Sequence, residues 1–233
     1  ADLAKLDTAQ LRAITTAAIG GLDSAQVASL STLQVSSLTD GQVAGLSATQ
    51  VKAIETADVA AMTTTQLQSI SSAAIAQLST AQVAALTTAQ IDDLTTAQVK
   101  SLTTAQMKAL SSEQVAQLTT AQVNALSGVQ VAALDAGDLA GLSAAKVQAF
   151  TTAAVAAMTT AQVAALDTAQ ASGLTTAQVR ALTTTQVAAL TTTQAEKLGT
   201  AQLAALTSTQ VKALETADLA KLDTAQLRAI TTA

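Results

Sequence analysis

A large aliphatic residue recurs every eight positions along this chain. Stepping from Leu6 through Ile14, Leu22, Leu30 and Leu38 to Ile230, each stop is Leu, Ile or Met, with Phe150 the one exception. No insertion or deletion interrupts the step. The consensus octad is L-T-T-A-Q-V-x-A, plainest over residues 86–126, which read LTTAQIDDLTTAQVKSLTTAQMKALSSEQVAQLTTAQVNAL. A period of this kind marks a stack of one small supersecondary unit.

Each octad reads as one short helix. The large aliphatic is followed by Ser, Thr or Asp, as at Asp7, Thr15, Asp23, Ser31, Thr39 and Ser47, and these are preferred helix N-caps. Gln stands three residues later, at Gln10, Gln26, Gln34, Gln42 and Gln50. Ser/Thr-x-x-Gln is a capping box, in which two orphan backbone donors are satisfied reciprocally. Glu55, Gly199 and Glu215 depart from the pattern at the cap. The spacing leaves room for about six or seven helical residues per octad. One continuous helix is the rival reading. At 100° per residue, each octad would turn the apolar direction by about 80°, leaving no lasting stripe. Strands are disfavoured because the pattern is not of period two.

Within one helix, Val and the following Leu are three apart and share a face, as in Val27 with Leu30 and Val83 with Leu86; that face is the expected core. The residue before the Leu is small at Ala13, Gly21, Ser29, Gly45, Ala53, Gly141 and Gly173, which lets helix backbones approach closely. The residue after the Val carries much of the charge, at Arg12, Lys52, Lys100, Lys108, Arg180, Lys212 and Arg228, and is expected in solvent. Helices this short are unstable alone. Stacking must hold them, each buried Leu or Val contributing roughly 1.5–3 kcal/mol. The expected fold is therefore all-α: an α-solenoid, or superhelix, of very short capped helices, one per octad.

A longer repeat encloses the octads. Residues 1–17, ADLAKLDTAQLRAITTA, recur unchanged at 217–233, an offset of twenty-seven octads. Inside this block the usual Gln becomes Asp at Asp2, Asp58, Asp138 and Asp218, spaced by seven, ten and ten octads. Two octads after the first three of these it becomes Ala, at Ala18, Ala74 and Ala154. One sub-block is thus three octads shorter than the others. Loss of a whole coil keeps lateral faces in register, so the difference points to three octads per coil. With coils about 8–10 Å apart, such a rod would be about 80–100 Å long. The expectation is one continuous repeat solenoid over 1–233. It opens on Ala1-Asp2-Leu3 and stops at Thr231-Thr232-Ala233, both part-way through an octad, and reads as an excerpt of a longer chain.

Composition narrows the chemistry. Apolar residues make up 49% of the chain, with no Trp, Tyr, His, Cys or Pro and a single Phe. The commonest general base, the commonest metal ligand and the best nucleophile are therefore missing. Net charge is −5 with only 11 Lys plus Arg, and there is no basic stripe for a nucleic acid. Thr, Ser or Gln interrupts each octad, so no apolar run is long enough to span a bilayer. Asp92-Asp93 is the densest acidic pair, read as two solvated side chains rather than a weak cation site. The Asp series at Asp2, Asp58, Asp138 and Asp218 could bind calcium at intervals; the favoured role is N3 of a helix, beside its positive end. Phe150 reads as a core variant of the Leu position. No catalytic, cofactor-binding or metal-binding residue is assigned, and no enzyme or cofactor is expected. Repeated Thr-Thr pairs raise an ice-binding alternative, but the first Thr is spent as a cap and Ser or Asp often replaces it.

Tracts such as LTTAQVAALTTAQ resemble those of very large, low-complexity bacterial surface and secreted proteins described as adhesin-like. The resemblance covers the whole chain in period and composition. It implies an extracellular or cell-surface structural element: a fibre, sheath, filament or stalk, associating with itself or continuing into the same repeat. A binding solenoid for a peptide or glycan is the alternative. L-T-x-x-Q-V is also similar to the first-helix opening of transcription-activator-like effector repeats. Their longer unit and DNA-reading loop have no counterpart here, so only the capping chemistry carries over.

Overall fold

The structure, a computed structural model, describes residues 3–230. After a 3₁₀ turn at Leu3–Lys5, all regular structure among these residues is α-helical, and no helix exceeds seven residues. The chain falls into two compact units, Ala1–Gln117 and Leu118–Ala233.

Unit 1 begins with α1 (Thr8–Ala13), α2 (Thr16–Gly20), α3 (Ser24–Ala28), α4 (Thr32–Ser37) and α5 (Asp40–Ala44). It continues with α6 (Ala48–Ala53), α7 (Thr56–Ala61), α8 (Thr64–Ser69), α9 (Ser72–Ile75) and α10 (Thr80–Ala84). It ends with α11 (Thr88–Asp93), α12 (Thr96–Ser101), α13 (Thr104–Lys108) and α14 (Ser112–Gln117). Unit 2 begins with α15 (Thr120–Ala125), α16 (Gly128–Ala133), α17 (Ala136–Ala140), α18 (Ala144–Gln148) and α19 (Thr152–Ala157). Then come α20 (Thr160–Ala165), α21 (Thr168–Gly173), α22 (Thr176–Ala181), α23 (Thr184–Ala188) and α24 (Thr192–Lys197). The last are α25 (Thr200–Ala204), α26 (Ser208–Val211), α27 (Thr216–Leu219) and α28 (Thr224–Ile230).

Local chemistry starts and stops most of these helices as the octad predicts, and α6 shows how. Ser47, extended at φ −70 and ψ 162, accepts the N–H of Gln50 on its hydroxyl. At the other end of α6, Ile54 leaves the helix, again extended, and donates its own N–H to the Val51 carbonyl. Two successive extended residues, the large aliphatic and the next cap, thus turn the chain from one helix into the next. No described residue has a positive φ, so no glycine is needed to make these corners.

Each helix packs on the third one along. In unit 1 the stacks are α1-α4-α7-α10-α13, α2-α5-α8-α11-α14 and α3-α6-α9-α12. In unit 2 they are α15-α18-α21-α24-α27, α16-α19-α22-α25-α28 and α17-α20-α23-α26. Within each unit the coil is therefore three helices, one from each of three octads, and the fold is an α-solenoid. The core is built from the Val and Leu positions. Val51, Val83, Ile91, Val99 and Met107 are fully buried, and Phe150 fills a Leu position. The residues after the Val, Arg12, Lys52, Lys108, Arg180 and Lys212 among them, lie in solvent as expected. Leu33 and Val129 are also exposed, because each stands just before the Gln, a position that faces outward.

Glycine serves close approach. A Cβ on Gly45 would meet the Thr16 methyl at 2.6 Å and the Thr16 carbonyl oxygen at 3.2 Å, where α5 crosses α2. Nothing lies within 4 Å of the corresponding point on Gly137, in α17. Gly45→Ala should therefore cost about 1–3 kcal/mol through overpacking. Gly137→Ala should be neutral or gain up to about 1 kcal/mol from helix propensity. Urea midpoints of the two variants check this; equal shifts of one sign would overturn it.

Candidate functional site

The most regular polar feature is the glutamine at N3, and it is buried. Gln42, Gln50, Gln66, Gln90, Gln98 and Gln106 are each 2% exposed, as deep as the aliphatic core. A buried amide is costly unless its polar atoms are paired, so its partners define its role. The Gln90 Oε1 accepts the N–H of its own N-cap, Thr87, at 2.8 Å. In return the Gln90 N–H donates to the Thr87 hydroxyl at 3.2 Å, completing the capping box.

The other end of the amide reaches the neighbouring coil. Gln90 Nε2 donates to the carbonyls of Val59, at 3.0 Å, and Met62, at 2.8 Å. Those residues lie 31 and 28 positions earlier, in the last turn of α7 and just past it. The Val59 carbonyl thus gains a second donor beside the Met62 N–H, which reaches it at 3.3 Å, and the Met62 carbonyl belongs to the C-cap, past the last helical turn. The same pair of bonds recurs from Gln42 to Leu11 and Ile14, and from Gln106 to Ile75 and Leu78. In unit 2 it recurs from Gln162 to Val131 and Leu134. Each of these glutamines thus starts its own helix and finishes another, four helices back. One Oε1 faces an N–H and one Nε2 faces two carbonyls. Glu has no donor to offer and Asn is one methylene short, so the arrangement selects Gln. No buried side-chain nitrogen or oxygen among the described residues is left without a hydrogen bond.

The octad by itself displays only the capping half of the glutamine's role, not this ladder. The signal was present: Gln tolerates less exchange along the chain than the cap, where Thr, Ser and Asp alternate freely.

The other singled-out residues are dispersed. Asp92 and Asp93 are exposed on α11, and the Asp93 carbonyl accepts a hydrogen bond from Gln68 Nε2 at 2.6 Å. Asp58, Asp138 and Asp218 occupy the glutamine position and are buried at 3%, 6% and 1% exposure. The Asp138 carboxylate accepts the Asp135 N–H at 3.3 Å and the Asp218 carboxylate accepts the Glu215 N–H at 3.4 Å, both as N3 caps. Asp58 closes no such box with Glu55. Asp2 lies outside the described residues. No three His, Cys, Asp or Glu side chains among the described residues gather as metal ligands. Among the cap departures, Gly199 still donates its N–H to Gln202 Oε1 at 2.8 Å, whereas Glu55 makes no side-chain cap bond. Shallow open hollows lie on unit 1, among them one lined by Arg12, Asp40 and Thr63 and another by Lys52, Glu55 and Ser79. No helix among the described residues is long and apolar enough to cross a membrane.

Comparison with known families places this architecture. A model described as the ALTTAQ repeat matches residues 1–40, 51–88, 91–128, 104–136, 131–168 and 163–199. The chain belongs to the ALTTAQ repeat family. No curated protein matches it. The family's name spells the core of the octad, and in this ALTTAQ chain those letters are the corner residue, the cap and the ladder glutamine. The match supports a structural repeat protein.

Proposed function

We propose that this ALTTAQ chain is a structural element of an extended fibre, sheath, filament or stalk outside a bacterial cell, without catalytic activity. The observation that carries the reading is the ladder. The one polar side chain that recurs in the core is consumed in joining each coil to its neighbour. Such a joint recurs along the stack, with Asp, Ala or Lys in place of the glutamine at a few positions, so length grows with copy number. The resemblance to adhesin-like surface proteins supports the location. The recurrence of 1–17 at 217–233 supports the part of the proposal in which the repeat associates with further copies of itself.

A binding solenoid is the weaker reading. It calls for departures from consensus gathered on one lateral face. In unit 1 they occupy all three stacks: Leu33 and Glu55 on the first, Asp40 and Glu113 on the second, Thr49 and Gln77 near the third. No aromatic is among them.

The test is electron microscopy of the native material, with small-angle scattering of this chain alone. Long uniform fibres with a regular axial repeat, and a maximum dimension of about 80–100 Å for the isolated chain, are expected. A compact particle, or native material free of any elongated assembly, would overturn the reading.

A further inference from the structure

The ladder is not uniform, and its gaps coincide in one coil of unit 1. The coil α4–α6 is tied to what precedes it by three glutamines, Gln34, Gln42 and Gln50. The coil α10–α12 likewise has three: Gln82, Gln90 and Gln98. The coil between them, α7–α9, has Asp58, Gln66 and Ala74 at these positions. Of these three residues only Gln66 spans the joint, donating to Val35, Ser36 and Leu38 at 2.7–3.1 Å. No glutamine reaches the carbonyls of Val27 and Leu30, which stand to Asp58 as Val59 and Met62 stand to Gln90. None reaches those of Val43 and Leu46, which stand in the same relation to Ala74. An aspartate offers a carboxylate no donor with which to replace the lost bonds.

Three further observations fall on the same coil. The cap of α7, Glu55, makes no side-chain cap bond, and Asp58 closes no capping box behind it. Helix α9 has four residues, fewer than α8 or α10 on either side. The remaining ties also lie together. Besides Gln66, the Thr65 hydroxyl donates to Asp40 at 3.3 Å, again between α8 and α5.

We propose that the joint between α4–α6 and α7–α9 is a yield point built into the solenoid. It opens first along the α4/α7 and α6/α9 stacks and pivots on the α5/α8 stack. Under tension it would extend before its neighbours do, and with tension released the α5/α8 tie would guide it closed. The Asp58/Gln66/Ala74 set has counterparts seven octads before, Asp2/Gln10/Ala18, and ten octads on, Asp138/Lys146/Ala154, where the central glutamine is lost as well. A long chain of these blocks would therefore carry yield points at intervals. The mechanical role rests on the fibre reading above; the weak joint itself does not.

Amide hydrogen exchange on the intact chain tests the joint. Peptides covering residues 55–78 should exchange about 10–100-fold faster than those covering 79–102, because local opening there forgoes fewer bonds. The variant Asp58→Gln/Ala74→Gln, carrying Glu55→Thr, should remove that difference. Should glutamine not fit at residue 74, the converse variant decides. Gln82→Asp/Gln98→Ala should bring rapid exchange to residues 79–102. Equal protection of both coils in the natural chain, or a converse variant that leaves residues 79–102 as slow as before, would overturn the proposal. Rapid exchange at 55–78 in a chain that scattering shows to be compact would sink the fibre reading alone and leave the joint standing.

Discussion

Gln90→Glu should cost about 3–5 kcal/mol at neutral pH, because an unpartnered buried charge carries a penalty of this size. The change is only from an amide to a carboxylate of the same shape. It puts an acceptor where Nε2 now donates to the Val59 and Met62 carbonyls at 3.0 and 2.8 Å. Three oxygens then face one another in a site that is 2% exposed. Gln90→Met, which keeps the volume and removes both donor and acceptor, should cost less, about 2–3 kcal/mol. The two variants should also differ in pH dependence. Burial beside carbonyls favours the neutral acid, so the glutamate's folded-state pKa rises above its unfolded value of about 4.3. Its protonated form can donate to one carbonyl, and that contribution is complete below the unfolded pKa and lost as pH rises through the folded one. The deficit of Gln90→Glu relative to Gln90→Met should therefore shrink toward pH 4. Denaturant titrations at pH 4 and pH 7 read this directly. Identical costs for Glu and Met at both pH values would show that the ladder contributes only packing.

That prediction turns on a bond absent from the sequence reading, and the reason is physical. Capping is local: Thr87 and Gln90 are three residues apart, so their reciprocal bonds follow from one octad. The bond from Gln90 to Met62 crosses three and a half octads, and a sequence that repeats every eight looks the same at each multiple of eight. Which helix lies behind a given glutamine is degenerate in such a pattern. Only the three octads missing from one sub-block hinted at the answer, and the stacking of each helix on the third one along agrees with it. The core positions were legible for the opposite reason. Val and Leu three apart share a face whatever the coil size, so Val83 and Leu86, and Phe150 as a Leu variant, could be placed inside before the coil was known. Glutamine burial was hidden because the residue type is usually found in water. The close pass of α5 over α2 was visible only as a small residue at Gly45, one among many such positions. The buried aspartates were read as N3 caps, and Asp138 and Asp218 take that geometry. What no single octad could display is that Asp58 and Ala74 fall in the same coil.

A stack joined only to its neighbours should also respond to damage according to where the damage sits. Ile91 and Ile19 occupy the same octad position and are both buried, at 0% and 1% exposure. Ile91 lies in α11, which packs on α8 on one side and α14 on the other; α2, which holds Ile19, packs chiefly on α5. Aspartate at either position places an unpaired charge in the core, a change of more than about 4 kcal/mol where no relaxation is open to it. At Ile91 the coil cannot be shed without breaking stacking on both sides, so the full penalty falls on unit 1. Ile91→Asp should lower the thermal midpoint sharply, or split the transition. When residues 1–233 are prepared alone, the coil that holds Ile19 has a stacking neighbour on one side, so it can fray and take the charge into water at the cost of that one surface. Ile19→Asp should therefore keep most of the helical signal and most of the parent transition, with exchange accelerated only in the first coil. Circular dichroism melts with hydrogen exchange separate the two cases. Equal losses from both variants would mean that unit 1 unfolds all-or-none, as an ordinary globule does, and coil-by-coil yielding under tension would then lose its physical basis.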